Sequence, residues 1–392
     1  MKRAVHFGAG KIGRGFLGQL YFENGYYTTF VDVVPEVVAG LQSRGAYPIH
    51  IACDTPRTVE VHNVSAVPGT DLEAVARAIA EADIASTAVG VNVLDRIAAP
   101  IARGIALRFS QGAGDPIDFI VCENLIDAGA HLREQVKAQL PRELHATLDE
   151  QVGFVDASIG RMVPLIDHQD DPLYVAVEPY CDLPVDKRAF RGPIPEIAQL
   201  QARDNFGAYV ERKLFVHNMS HAATGYLGYL RGHEYTWQAV ADPRVRKEVE
   251  NALAESCEGL HRKHGIPLAE LLAHGQDLLH RYANRALGDQ ILRVTADPVR
   301  KLGPNDRLIG AARMCLDQGI QPLSIGFAAA AAIRYDPPGD AGAQSIQSLL
   351  ETQGLSGVLL TVCQLPADSP LNGLLHAASE RLDREGWRKQ DQ

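Results

Sequence analysis

Through the first half of the chain, short apolar runs alternate with stretches in which apolar residues recur every three or four positions. The runs predict strands over Ala4–Phe7, Thr28–Val33, Asp83–Val89 and Ile117–Cys122, and the periodic stretches predict helices over Ile12–Glu23 and Leu72–Glu81. Strands alternating with helices at this spacing build a doubly wound, mainly parallel α/β sheet covered on both faces. Between Asp156 and Arg191 the pattern changes to alternating segments such as Tyr174-Val175-Ala176-Val177-Glu178, punctuated by Pro164, Pro172, Pro179, Pro184, Pro193 and Pro195. A domain boundary is expected there, giving residues 1–195 and 196–392. Beyond it, Val245–His264, Leu268–Ala283, Leu308–Gln318 and Ile346–Gln353 carry helical periodicity, so the second domain is expected to be mostly α-helical.

The composition is that of an ordinary globular protein: 392 residues, 46% hydrophobic and 22% charged. A net charge of −10, with no Lys/Arg-dense stripe, argues against nucleic acid or anionic lipid as a partner. The start, Met1-Lys2-Arg3-Ala4-Val5-His6-Phe7, runs straight into glycine-rich sequence and has no secretory pattern, so a cytoplasmic protein is expected. The most apolar run, Ile325–Ile333, is about half the roughly 20 residues that span a bilayer. Cys53, Cys122, Cys181, Cys257, Cys315 and Cys363 are widely spaced, which signals neither a disulfide framework nor a zinc site. They are expected to be reduced thiols, mostly core filler. No coiled-coil seam is visible, and a monomer is expected.

The first chemistry lies at Ala4–Gly15. Gly8, Gly10 and Gly13 form a GxGxxG directly after an apolar strand and directly before a helix. In such a unit the first glycine permits a tight turn, the second lets backbone approach a pyrophosphate, and the third allows helix to pack on strand. Glycine clusters also make plain turns, so Asp32 carries weight: it closes the next strand at the offset expected of a ribose-binding carboxylate. A carboxylate there bonds the ribose hydroxyls and repels a 2′-phosphate, which favours NAD(H) over NADP(H). Candidate cofactor residues are Gly8, Gly10, Lys11, Ile12, Gly13 and Asp32, joined by Thr87 and Val89 at the end of a later strand. His6 is read as strand filler.

A second stretch, Glu211-Arg212-Lys213-Leu214-Phe215-Val216-His217-Asn218-Met219-Ser220-His221, offers a base and hydrogen-bond donors. On a regular helix at roughly 100° per residue, Asn218 falls about 140° and His221 about 80° around from Lys213, on one broad face. A half-buried lysine beside a cationic nicotinamide would have a lowered pKa and serve as a base. The same residues also read as a solvated helix face with a structural Asn and His.

The opening His6-Phe7-Gly8-Ala9-Gly10-Lys11-Ile12-Gly13-Arg14-Gly15-Phe16, the segment Cys122–Gly129, the Lys213/Asn218/His221 spacing and the segment Arg300–Leu308 together resemble the polyol-specific long-chain dehydrogenase/reductase family. The resemblance runs through nearly the whole chain. It implies an N-terminal Rossmann domain, a helical C-terminal domain, metal-independent catalysis, and NAD(H)-linked interconversion of D-mannitol 1-phosphate and D-fructose 6-phosphate. It further implies that Lys213 is the general base or acid, Asn218 and Asn124 are amides on the reacting oxygen, and His221 orients the substrate. Arg300, Lys301 and Arg307 are candidates for the substrate phosphate, or else exposed charges near helix ends. One departure stands out: Gly160, before Arg161, occupies the place of an aspartate found in many relatives. Two other functions remain open, a sibling dehydrogenase of an unphosphorylated polyol or hexuronate and a catalytically silent NAD-binding sensor.

Overall fold

The computed structural model describes residues 1–112, 115–164 and 171–387. They form two units, Met1–Tyr209 and Val210 onward.

In the first unit the strands, in chain order, are β1 (Lys2–Phe7), β2 (Tyr26–Asp32), β3 (Ala46–Ile51), β4 (Arg57–His62), β5 (Val64–Pro68), β6 (Ile84–Thr87), β7 (Ile117–Val121), β8 (Val152–Asp156), β9 (Val175–Val177), β10 (Leu183–Asp186) and β11 (Leu200–Arg203). Six of them make one sheet in the order β5-β2-β1-β6-β7-β8. Every pairing in it is parallel. This is the doubly wound order in which the direction of strand addition reverses beside β1, opening a crevice at the strand C-termini. The central strands are buried on both faces, as their continuous apolar sequences require. Val5, Phe7, Ile101, Ile105 and Phe119 share one core. Phe16, Leu17, Tyr21, Ile120, Val155, Leu183 and Val185 share another. A small sheet, β4-β3-β9, joins an antiparallel to a parallel pair.

The boundary falls later than the proline-rich stretch suggests. β11 pairs in parallel with β10, Ala198 donates its N–H to Asn24 Oδ1 at 3.1 Å, and Ile197 lies in the core with Leu183, so residues after 195 remain part of the α/β unit. Prolines here interrupt strands without ending the domain.

The second unit is helical among its described residues. Helix Leu323–Ile333 is buried along nearly its whole length and packs against Met219–Leu230, Pro243–His264 and Pro370–Arg384. Its apolarity is that of a central core helix, and no helix of the described residues is long and apolar enough to cross a membrane. The segment Ile346–Gln353 is helical within Ala341–Thr361 and stops at Gly354, whose φ of 66° breaks the repeat. Four of the six free cysteines are buried.

Candidate active site

The three fingerprint glycines differ in their surroundings. Gly8 follows β1 with φ 98°, and a Cβ there would lie 2.5 Å from the carbonyl oxygen of Ala88. At Gly13 a Cβ would lie 1.9 Å from the Gly8 oxygen and 2.8 Å from His6 Nε2, so this glycine serves the packing of helix on strand. Around Gly10 there is open space. These are the turn, packing and close-approach roles the motif demands. Asp32 closes β2 with its Oδ2 accepting the Ala9 N–H at 2.6 Å and its Oδ1 accepting the Val34 N–H at 2.9 Å. The carboxylate therefore sits beside the glycine turn, and its remaining lone pairs suit ribose hydroxyls. Ile12 packs on the core, and Lys11 is half-buried at the helix start. His6 is wholly buried, bonded through Nδ1 to Ser86 Oγ at 2.7 Å, and burial pushes its pKa down to about 3.

Thr87 is fully buried, whereas Val89, in the segment after β6, is half-buried. That segment is held by Glu123, whose part no local spacing announces. The Glu123 carboxylate, 8% exposed, accepts the N–H groups of Val89 and Gly90, each at 2.8 Å. Its neighbour Asn124 is exposed on the loop after β7, at the C-terminal edge of the sheet. Nearby Asp156 accepts the Gly129 N–H at 2.8 Å, and burial, reinforced by Asp127 and Asp186, raises its pKa to about 6. At Gly160 a Cβ would stand 3.3 Å from the Tyr180 ring.

Helix Phe206–Arg212, which runs into the second unit, passes into a π-helical turn, Lys213–Asn218, and then into helix Met219–Leu230. The Met219 N–H bonds the Leu214 oxygen, five residues back. Such i→i+5 bonds widen the turn, so residues five apart fall about one turn apart on the same side, closer than the regular-helix angle for Lys213 and Asn218 implies. Lys213, Asn218 and His221 are all half-buried, whereas Phe215, Val216 and His217 between them are buried. A solvated face does not fit: Glu211 is paired with Lys263 at 2.7 Å and His264 at 2.8 Å, and the Arg212 side chain is 13% exposed. The surroundings are cationic. Burial, followed by Arg281, His221, His274 and Lys213, holds His217 neutral, and burial with Arg212 and Arg281 pushes His274 down to about 3.

His221 Nε2 is bonded to Asp289 Oδ2 at 2.8 Å, and the Tyr282 ring stacks on the imidazole with centroids 4.9 Å apart. No local spacing announces these two partners.

The phosphate candidates behave differently from one another. Arg300 is tied to Asp297 at 2.8 Å and Asp306 at 3.3 Å, and Arg307 to Asp306 at 2.7 Å. Lys301 is 5% exposed and donates to the Val294 oxygen at 2.8 Å and to the Ala296 oxygen. Burial, together with Arg307 and Arg300, lowers its pKa to about 7. In this arrangement Lys301 secures the segment Ile291–Thr295, which packs against Met219–Leu230.

Residues 2–199 match the sequence model of the mannitol dehydrogenase Rossmann domain, and residues 205–355 match that of the mannitol dehydrogenase C-terminal domain. The chain belongs to the mannitol dehydrogenase family. Within this family it is 39% identical over 382 residues to mannitol-1-phosphate 5-dehydrogenase of Brevibacillus brevis, covering 97% of this chain and 98% of that one. It is 38% identical over 369 residues to the Bacillus licheniformis protein of the same name, covering 94% and 97%. Two solved structures share the mannitol dehydrogenase fold seen here. Pseudomonas fluorescens mannitol 2-dehydrogenase, in a ternary complex with NAD and D-mannitol, aligns with a TM-score of 0.74 at 19% identity, covering 98% of this chain and 92% of that one. A D-sorbitol dehydrogenase in substrate-free form aligns at 0.83 and 15% identity, covering 98% and 93%.

Proposed function

We propose that this chain interconverts D-mannitol 1-phosphate and D-fructose 6-phosphate with NAD(H). The observation that carries the chemistry is the half-buried row Lys213, Asn218 and His221 around one π-helical turn. The substrate follows from the nearly full-length relatives named mannitol-1-phosphate 5-dehydrogenase. NAD would supply the hydride acceptor for oxidation of the carbinol carbon and, once reduced, the hydride donor for the reverse direction. Gly8, Gly10, Gly13, Lys11, Ile12, Asp32 and Val89 belong to its site. Lys213 accepts the proton of the C5 hydroxyl as the hydride leaves, Asn218 and Asn124 donate hydrogen bonds to that oxygen, and His221 orients the polyol. Arg300 and Arg307 are the cations assigned to the phosphate. We further propose that the enzyme is a cytoplasmic monomer; light scattering tests the monomeric state.

The assay that tests the function follows NADH oxidation with fructose 6-phosphate beside fructose, and the same pair with NADPH. Fructose 6-phosphate with NADH is expected to exceed the other three combinations, because binding energy at the phosphate is spent on orienting the distant carbonyl. Equal turnover of free fructose would favour a dehydrogenase of unphosphorylated sugars, and no turnover of either would favour an NAD-binding sensor. Neutralising Arg300 or Arg307 is expected to raise KM for the phosphorylated sugar more than for the free one. An equal effect on both sugars assigns these arginines to structure.

A further inference from the structure

Asp289 is nearly buried, at 7% exposure, and its two carboxylate oxygens are used separately. Oδ2 meets His221 Nε2 at 2.8 Å, while Oδ1 accepts the Arg293 Nε–H at 2.9 Å. Its backbone is fixed as well. The Asp289 oxygen accepts the Thr236 N–H at 2.9 Å, the next residue, Gln290, forms an antiparallel bridge with Tyr235, and Gly288 before it is left-handed at φ 55°. Burial works against the carboxylate's charge, but the bonds and charges of His221 and Arg293 outweigh it and hold its pKa below the usual value. The imidazole is constrained on a second side by Tyr282, whose plane lies 14° from its own. That phenol is locked in turn: its hydroxyl donates to the His217 oxygen at 2.9 Å and lies 3.0 Å from Ser220 Oγ.

A carboxylate has no proton to give, so the ring nitrogen facing it must be the donor. A neutral imidazole then has its other nitrogen as an acceptor. We propose that Asp289, backed by Arg293, is the positioning residue of His221: it fixes the Nε2–H tautomer and thereby presents Nδ1 as a hydrogen-bond acceptor for a substrate hydroxyl. This rests on the reading of Lys213, Asn218 and His221 as the catalytic row. A polyol chain supplies hydroxyl donors at every carbon, so a ring locked as an acceptor selects a rotamer of the substrate. A ring free to exchange tautomers selects none.

The test uses the full-length protein labelled with 15N in histidine. Long-range 1H–15N spectra, with the His221 signals identified by their loss in His221→Gln, are expected to show a protonated Nε2 and an unprotonated Nδ1. An Nδ1–H tautomer in the unmutated protein overturns the proposal without any variant of Asp289. In Asp289→Asn the amide offers a donor to Nε2, so the ring is expected to switch to Nδ1–H. The value of kcat/KM for fructose 6-phosphate is expected to fall about 10–100-fold, a usual scale for removing a group that orients a functional histidine, with KM for NADH unchanged. The loss is expected to vanish in the His221→Gln background, because the two residues act as one. A loss that persists there, or that Arg293→Gln reproduces while the Nε2–H tautomer is retained, makes Asp289 structural. If His221→Gln itself turns over normally, the catalytic reading of the row fails, whatever the tautomer.

Discussion

Replacing Glu123 by Gln isolates a single contact. Its carboxylate receives two consecutive backbone N–H groups, from Val89 and Gly90, at 2.8 Å each and at 8% exposure. A glutamine has one oxygen, so it keeps one of these bonds at neutral strength and turns an N–H₂ toward the second N–H. Hydrogen bonds to a charged group contribute about 1.5–3 kcal/mol, against about 1 kcal/mol for neutral ones. Two charged bonds exchanged for one neutral bond, with donor facing donor, give a loss of about 3 kcal/mol. Gly90 is exposed and water satisfies part of its demand, which brings the expected loss to about 2 kcal/mol. For a unit of this size, each kcal/mol lowers Tm by about 2–4 °C, so the first melting transition is expected about 4–8 °C lower. The same segment is where a cofactor would meet β6, so KM for NADH is expected to rise several-fold while kcat at saturating NADH changes little. Scanning calorimetry and initial-rate kinetics read both quantities. A Tm within 1 °C of the parent together with an unchanged KM for NADH would refute the reasoning.

Lys213→Ala is expected to lower kcat by at least about 10²-fold, the scale of a positioned general base, with NADH affinity nearly unchanged by fluorescence titration; near-normal turnover would move the base elsewhere. Asp32→Ala is expected to raise KM for NADH and narrow the preference over NADPH, and equal efficiency with both cofactors in the parent would remove that role from Asp32. Burial pushes the Asp156 pKa up to about 6 in the folded chain, from an ordinary value of 3.8. The folded state therefore holds the proton more tightly, and the favourable contribution present below pH 4 is lost as pH rises through 6. Asp156→Asn, whose Oδ1 still accepts the Gly129 N–H, is expected to be more stable than the parent at pH 7 by on the order of 1 kcal/mol, with the gap closing below pH 4 in denaturant titrations.

The parts legible in the sequence are those whose information is local. Gly8, Gly10, Gly13 and Asp32 sit on one strand-turn-helix-strand unit, where backbone sterics dictate residue type, and the parallel sheet follows from alternating periodicities. β11 was not legible, because its partner β10 makes it a strand and four residues alone do not. Asp289 reaches His221 across 68 residues, and the Tyr282 ring that stacks on it is likewise far away in sequence. Glu123 lies beside Asn124 in plain view, yet its reach is to Val89 and Gly90 across the sheet. The π turn escaped for another reason: a shift from i+4 to i+5 bonding leaves composition and amphipathicity nearly unchanged and alters only angles.

That turn also fixes how this part of the gene tolerates change in length. A π turn amounts to one surplus residue accommodated within a helix, so deleting one residue between Lys213 and Asn218 restores the regular repeat and leaves everything downstream in nearly the same phase relative to Phe206–Arg212. Ala222, Ala223, Tyr226 and Leu227, all buried, would keep their facing, and His221 its side toward Asp289. Substitutions at buried Val216 alter packing alone, whereas its loss would remove the wide turn around which Lys213 and Asn218 stand five residues apart. In this stretch a one-residue change in length is absorbed by the geometry of the turn, and its effect stays local to Lys213–Asn218.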